Sequence, residues 1–335
     1  MKKNLKRNVS LLLAVILCLG LAGCGAEKKH YEAKDYILET EYRDDFKILQ
    51  LCDIHMANKD NRQMHYDFMD LTIKDADPDM IIACGDLFTF ADKTVAKELF
   101  AYFDSWGVPW TVTFGNHDEQ CYFSIDWMTG YLNNYGSNCI FKDLQDDDVF
   151  GNSNFAINLV RDGLIKDQII IMDSNRYNYG EYWGYDYFKQ DQIDWYESII
   201  EYTAVQNGGE TVPSQIFCHI PVPEFQTAYD LAKAGSPEAV LEYGEFNEDV
   251  SCPKINSGFF DMMVELGSTN AMLVAHDHVN NARLLYKDIY LCYGVTSTDR
   301  IYYEDGMLGG LVLTVGPDGS LGFDYIYHDY KELEK

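Results

Sequence analysis

Residues 46–55 read FKILQLCDIH, and the way this run ends decides the fold. A mostly apolar stretch of strand length stops at Cys52, and a carboxylate, Asp53, and an imidazole, His55, follow at once. The pattern recurs. MIIAC (80–84) stops at Gly85-Asp86, and VPWTVTF (108–114) stops at Gly115-Asn116-His117-Asp118. QIIIM (168–172) stops at Asp173, the short run 215–218 at His219, and AMLVA (271–275) at His276-Asp277-His278. Short apolar runs of this length read as buried strands. Helical spacing lies between them, over 62–75 with Phe68, Met69 and Ile73 on one stripe, and over 93–106, 190–205 and 258–266. Asp77-Pro78-Asp79 breaks the first of these helices. Strands alternating with helices predict an α/β domain, and polar residues at the C-terminal strand ends put the ligand site along one sheet edge. From residue 281 on, 282–286, 289–292 and 308–315 read as antiparallel strands, with turns at Lys287-Asp288 and Pro317-Asp318-Gly319.

The chain has 335 residues, 47% of them apolar, enough for one large domain with a sizeable core. No internal repeat or long low-complexity tract interrupts it. The formal charge is −28. Met1–Gly23 contains four basic residues and no acids, so without it 22 bases face 54 acids and the charge is −32. Such a surface repels polyanions within about a Debye length, ~10 Å at 0.1 M salt. Extended nucleic-acid binding through a basic face is therefore not expected, whereas a small phosphate ester remains compatible if the site is locally positive.

The N-terminus has the form of a processing signal. Lys2, Lys3, Lys6 and Arg7 precede the apolar run Leu11–Leu19, which is too short to span a bilayer. Leu21-Ala22-Gly23-Cys24 then resembles a bacterial lipoprotein signal, cut before Cys24, whose thiol carries lipid. An ordinary cleaved secretory peptide or a short anchor is the other reading. The expected organisation is a signal peptide over 1–23, a polar tether over 24–43 and one domain over 44–335, with the protein extracytoplasmic and held to the membrane through Cys24. Cys52, Cys84 and Cys218 read as buried strand thiols. Cys121 with Cys139, or either with Cys252, could pair, and no CxxC supports a structural zinc site.

Five segments carry the chemistry: Asp53-Ile54-His55, Gly85-Asp86, Gly115-Asn116-His117-Asp118, His219 and His276-Asp277-His278. Residues two apart share a face on a strand, and at a strand end both reach one point. Carboxylate, imidazole and Asn carbonyl are donors for borderline and hard divalent ions. Five of the eight histidines fall in these segments; His30, His65 and His328 read as solvated residues. Each segment alone is weak, since a lone Asp-x-His is usually a loop and Gly-Asn-His-Asp can be a helix cap. Their common placement after apolar runs is what singles them out.

In this order the segments resemble the calcineurin-like metallophosphoesterase superfamily. The closer likeness is to its purple-acid-phosphatase-like branch of fungal and plant Dcr-type phosphatases, through FCHIPVPE (217–224), HDHVN (276–280) and LCYG (291–294). The resemblance covers about residues 46–315. It implies a four-layer α/β/β/α sandwich and a centre for two metal ions, divalent Mn, Zn or Fe. Asp53, His55, Asp86 and His278 would hold one ion, and Asp86, Asn116, His219 and His276 the other, with Asp86 bridging. His117 would be the general acid, with Asp118 beside it as orienting partner. The residue usual before His-x-His is Gly and is Ala275 here. The tyrosine ligand of coloured relatives is replaced by Thr89.

The implied reaction is hydrolysis of a small phosphate ester by a hydroxide that the two ions activate, with a phosphomonoesterase ahead of a phosphodiesterase or nucleotidase. Two M²⁺ against Asp53 and Asp86 leave a net charge of about +2, which attracts phosphate despite the acidic surface. A lipid-anchored phosphate- or metal-binding protein on the same scaffold is the reading from another class. Arg176 is a candidate contact for a second phosphate or an ordinary loop residue. The Tyr- and Trp-rich stretch 177–188 is a candidate rim for a base or sugar, or a covering loop.

Overall fold

Each apolar run becomes a strand in the computed structural model, which describes residues 31–59, 61–144, 148–180, 183–329, 331 and 333. The signal, Cys24 and the start of the tether lie outside the described residues. The strands, in chain order, are β1 (Ile37–Glu41), β2 (Phe46–Leu51), β3 (Met80–Cys84), β4 (Trp110–Thr113), β5 (Phe155–Arg161), β6 (Leu164–Ile171), β7 (Tyr177–Asn178), β8 (Gly184–Tyr185), β9 (Ser214–Phe217), β10 (Ala239–Tyr243), β11 (Thr269–Val274), β12 (Arg283–Tyr286), β13 (Ile289–Tyr293), β14 (Leu308–Val315) and β15 (Leu321–His328). The α-helices are α1 (Arg62–Ala76), α2 (Lys93–Ser105), α3 (Ile125–Leu132), α4 (Gln190–Gln206), α5 (Glu224–Lys233) and α6 (Phe259–Leu266).

Two large sheets result. One has five strands in the order β15-β14-β2-β3-β4, the other eight in the order β1-β5-β6-β9-β11-β13-β12-β10. Strands β2, β3 and β4 run parallel, as do β6, β9, β11 and β13, so within each group the C-terminal ends share an edge. Helix α1 packs on β2, β14 and β15, while α5 and α6 pack on strands of the larger sheet. One hydrophobic cluster takes Ile48, Leu51 and Ile82 from the smaller sheet and Ile157, Ile171, Phe217 and Leu273 from the larger. The sheets therefore share a core, and helices flank them, as the α/β expectation required.

The structure corrects several readings. The tether expected over 24–43 is corrected in its described part, where the polar composition hides a folded segment. Ala33–Tyr36 forms a 3-10 turn, and β1 adds to the larger sheet parallel to β5. The tyrosines at either end are buried, and Tyr42 donates its hydroxyl hydrogen to the Val315 carbonyl at 3.2 Å. His65 is buried near Asp299 rather than solvated, and His328 lies 3.5 Å from Asp75. Strands β5, β10 and β15 and helices α3 and α5 went unread; for β5 and β6 the hairpin signal Asp162-Gly163 was present, both residues at positive φ. The seven cysteines of the domain are all free, with Cys52, Cys84 and Cys218 buried as expected.

Candidate metal centre

The loops after β2, β3 and β4 bring Asp53, His55, Asp86 and Asn116 to the shared edge, and the loops after β9 and β11 bring His219, His276 and His278. Four of these residues leave their strands in the left-handed region: Asp53 (φ 51°), His55 (φ 50°), Asp86 (φ 49°) and His276 (φ 78°). Positive φ is uncommon outside glycine, and clusters of it mark sites where the surroundings over-determine the backbone. Two glycines allow the close approach. A Cβ on Gly85 would collide with the His219 ring, and one on Gly115 with the Asp86 carboxylate and backbone.

Two triads form. Asp53, His55 and His278 offer ligand atoms that all lie within 4.8 Å of one another, and so do Asp86, His219 and His276. Each triad draws on both sheets. Asp86 Oδ2 stands between them, 3.2 Å from His219 Nε2 and 3.7 Å from His55 Nε2. Among the ligand atoms, Asp53 Oδ1, Asn116 Oδ1, His219 Nε2 and His276 Nε2 are buried without a hydrogen-bond partner. Buried polar atoms normally find partners, so four such orphans pointing into one site fit cation ligation.

The surrounding groups set the histidine tautomers. His219 Nδ1–H donates to the Cys84 carbonyl at 3.1 Å, and His278 Nδ1–H donates to the Tyr302 carbonyl at 2.8 Å. A carbonyl only accepts, so Nδ1 carries a hydrogen in both rings and Nε2 is the atom that faces the site. His55 Nδ1 lies 2.7 Å from Thr89 Oγ1, which leaves its Nε2 facing His278 Nε2 at 3.2 Å. With Nδ1–H given to Thr89, the two lone pairs oppose each other, an arrangement that a cation between them relieves. Thr89, at the position of the tyrosine in coloured relatives, thus orients a ligand instead of being one.

Electrostatics agree. Burial pushes His55 and His276 well below their ordinary values, keeping them neutral, the form that ligates. His219 differs: the Asp86 carboxylate outweighs burial and raises the imidazole to about 10, so its Nε2 carries a proton toward Asp86 that a bound cation would have to displace. Burial raises Asp53, opposed by His278 and His219. A buried carboxylate pair with no cation beside it is costly. Ile54, between the ligands, is buried in the core, and Asp277 turns away to accept from the Tyr293 hydroxyl at 2.6 Å.

His117 stands at the mouth, half-buried, its ring 5.1 Å from that of His55, and its backbone N–H donates to Asp86 Oδ1 at 2.7 Å. The expected orienting partner is corrected here. Asp118 is fully buried below and accepts from the backbone N–H groups of Phe88 (3.0 Å) and Gly115 (2.8 Å). Those bonds tie the loops after β3 and β4 together, so Asp118 holds the site without touching the His117 ring. The ring's Nδ1 meets Gln120 Oε1 at 2.9 Å instead, three residues on along a 3-10 turn.

Other supports escaped the sequence. The Thr296 and Thr298 hydroxyls donate to the Asp53 and Ile54 carbonyls, and Ser297 Oγ accepts from the Cys52 N–H. Asn116 Nδ2 donates to the Tyr177 hydroxyl at 2.8 Å, and the Tyr185 ring lies edge-on to His276 at 4.4 Å. No spacing rule links these residues to the ligands. Arg176 donates to Asn152 Oδ1 and lies 3.6 Å from Asp173 Oδ2, in the wall of a neighbouring cavity.

The calcineurin-like phosphoesterase profile matches residues 46–280, the span that contains every ligand. The chain belongs to the calcineurin-like phosphoesterase family. It is a hydrolase of phosphoric esters by that membership, with two buried residue clusters suited to a dinuclear centre. This phosphoesterase is 28% identical to the probable inactive purple acid phosphatase 29 of Arabidopsis thaliana, over 86% of its own length and 81% of the relative's. It is 25% identical to the phosphatase DCR2 of Saccharomyces cerevisiae, over 74% of its length and 47% of that protein's. A dimetal phosphatase from Danio rerio superposes with a TM-score of 0.52 at 13% identity, covering 85% of this chain and all of the other. At that identity the likeness concerns the fold.

Proposed function

We propose that the chain is a metal-dependent phosphomonoesterase with His117 as general acid. The observation that carries this is the pair of triads with four orphaned ligand atoms beside a half-exposed histidine whose Nδ1 is already engaged by Gln120. Asp53, His55 and His278, with Asp86, would hold one divalent ion; Asp86, Asn116, His219 and His276 would hold the other. Bound there, the ions supply Lewis acidity toward phosphoryl oxygens and acidify water.

The chain's own groups do the rest. Gln120 Oε1 accepts the Nδ1–H, so the proton to be donated sits on Nε2 of His117. The amide of Gln120 thereby orients the ring. His117 protonates the departing alkoxide, a contribution of about 10²–10⁴-fold for a poor leaving group. The Arabidopsis relatives carry the word inactive in their names. Here an intact donor set and an engaged general acid support turnover over a binding role, since binding needs no proton donor.

The test is hydrolysis of p-nitrophenyl phosphate and its bis-ester after Mn²⁺ or Zn²⁺ loading. Preference for the monoester supports the proposal, preference for the bis-ester points to a diesterase, and no turnover with either ion favours a binding protein. His117→Ala should cost far more with an alkyl phosphate than with the activated aryl ester; equal losses would count against the acid role. We also propose, from the N-terminal sequence, extracytoplasmic anchoring through lipid on Cys24, tested by the mass of the mature N-terminal peptide. Among the described residues no helix is long and apolar enough to cross a membrane.

A further inference from the structure

Among the described residues of the hairpin β7–β8 four are aromatic, Tyr177, Tyr179, Trp183 and Tyr185, and their rings form one continuous group leading away from the metal ligands. Tyr177 pairs with Tyr185 across the hairpin, their rings 5.7 Å apart and 26° from parallel. These two touch the centre: Tyr177 through its hydroxyl on Asn116, Tyr185 through its ring on His276. Outside them, Trp183 lies near-parallel to Tyr177 at 6.3 Å and 15°, and Tyr179 contacts both Tyr177 (5.8 Å) and Trp183 (5.3 Å). The inner pair is half-buried, whereas Trp183 is 73% exposed and Tyr179 65%. Large aromatic surface left in water beside a reaction centre is unfavourable unless something covers it.

Beside this ladder a cavity of about 630 Å³ shares Tyr177 as a wall and is otherwise lined by Glu119, Asp126, Asp143, Asp186 and Asp191, among others. Among the described residues of its lining, Arg176 is the one cationic side chain. Its walls disfavour any anionic group that the ester carries beyond the phosphate being cleaved.

From this geometry we infer that the exposed faces of Trp183 and Tyr179 are the leaving-group subsite and take a planar, uncharged ring. The substrate class is a phosphate monoester whose alcohol bears a heteroaromatic ring, as in a nucleoside monophosphate, in preference to sugar phosphates and nucleoside polyphosphates. The inference rests on the phosphoesterase reading and adds the identity of the alcohol. A phosphate seated at the ligands leaves its ester oxygen toward the mouth, where the hairpin's inner rung stands; a ring on that alcohol then meets the outer rung. Stacking of this kind tolerates any base, because every base has a π-face.

Two measurements test it. The first compares kcat/KM for adenosine 5′-monophosphate and glycerol phosphate in Mn²⁺-loaded wild type, Trp183→Ala and Trp183→Phe. The ratio favouring the nucleotide should fall about fivefold or more in Trp183→Ala, through KM, and largely return in Trp183→Phe. An unchanged ratio, or equal losses for both esters, overturns the inference. Adenosine 5′-diphosphate should be a poorer substrate than the monophosphate in the wild type; equal or better turnover overturns the restriction to monophosphates. The second measurement needs no turnover: adenosine titrated into metal-free protein should quench tryptophan emission in the wild type and not in Trp183→Ala. Absence of quenching in the wild type at millimolar adenosine overturns the subsite. Quenching in a protein that hydrolyses no ester with Mn²⁺ or Zn²⁺ would uphold the subsite and sink the phosphoesterase reading alone.

Discussion

The two triads use the same residue types and are braced in opposite ways. Around Asp53, His55 and His278 the support is polar and close. Thr89 fixes one imidazole, the Tyr302 carbonyl fixes the other while the Tyr302 ring stacks on it at 4.3 Å, and two threonine hydroxyls hold the Asp53 loop. Around Asp86, His219 and His276 only His219 has a carbonyl partner, and the outer ligands Asn116 and His276 lean on the tyrosines of a hairpin. Second-layer contacts of this sort set ligand basicity and orientation. The difference teaches that the first site is built for retention and the second opens toward the substrate. The aromatic hairpin belongs to the second side, while His117 stands between the two, its ring by His55 and its backbone N–H on Asp86.

The strongest way to break this contrast is to remove what the triads share. Asp86→Ala should reduce metal content from two ions per chain to less than one and turnover to background, checked by plasma emission analysis of metal-loaded protein. Two ions retained would show that Asp86 does not bridge. Thr89→Val should act on one triad only, lowering affinity at one of the two sites by about 10–100-fold in a chelator titration, with the second step unmoved. A parallel loss in both steps would erase the asymmetry. Tyr177→Phe removes a single neutral hydrogen bond to Asn116 and keeps the ring. It should cost only about 3–10-fold in the affinity of the other site, readable in the same titration.

The smallest effect on the centre is expected from a carboxylate outside it. Asp167 is buried in β6 and raised to about 8 by that burial, against the hydrogen bonds from Gln215 and its neighbour's backbone. Unfolding restores an ordinary carboxyl near 3.9, so between about pH 4 and 8 the native chain holds a proton that the unfolded chain releases. Stability contributed by that protonated form is present below pH 4 and is lost as pH rises toward 8. Asp167→Asn should therefore flatten the fall in Tm between pH 5 and 8 without changing metal content. An unchanged pH slope in thermal melts would contradict the raised value. The contrast with Asp53 and Asp86 is direct: those buried acids stand beside imidazoles in a candidate cation site, whereas Asp167 stands beside amides and stores a proton.

Much of the core and the six residues that gather into the two triads were legible because they follow one local rule, an apolar run of strand length ending at a donor residue. The helices over 62–76, 93–105 and 190–206 were legible from apolar spacing. What failed, failed where composition misleads. Residues 37–41 read as tether because ILETE is half polar, yet an edge strand needs only one buried side and backbone pairing. Asp118 was assigned to His117 through adjacency, whereas neighbouring side chains on a tight turn diverge and Gln120, three residues on, comes round to the ring. Thr89 was noticed for the tyrosine it replaces and not for the imidazole it holds.

The sequence by itself determined which donor residues stand at the strand ends, because a strand end is a local event set by a few consecutive side chains. Only the tertiary structure decided how those residues sort into two sites. His55 reaches His278 across 223 residues, and Asp86 reaches His219 across 133, because the two sheets present their C-terminal edges to one another over a common core. The partners that fix the imidazoles are carbonyls and hydroxyls of no distinctive type, so the same packing that closes the core also selects them. Periodicity records which face of an element is buried; it does not record what that face is buried against.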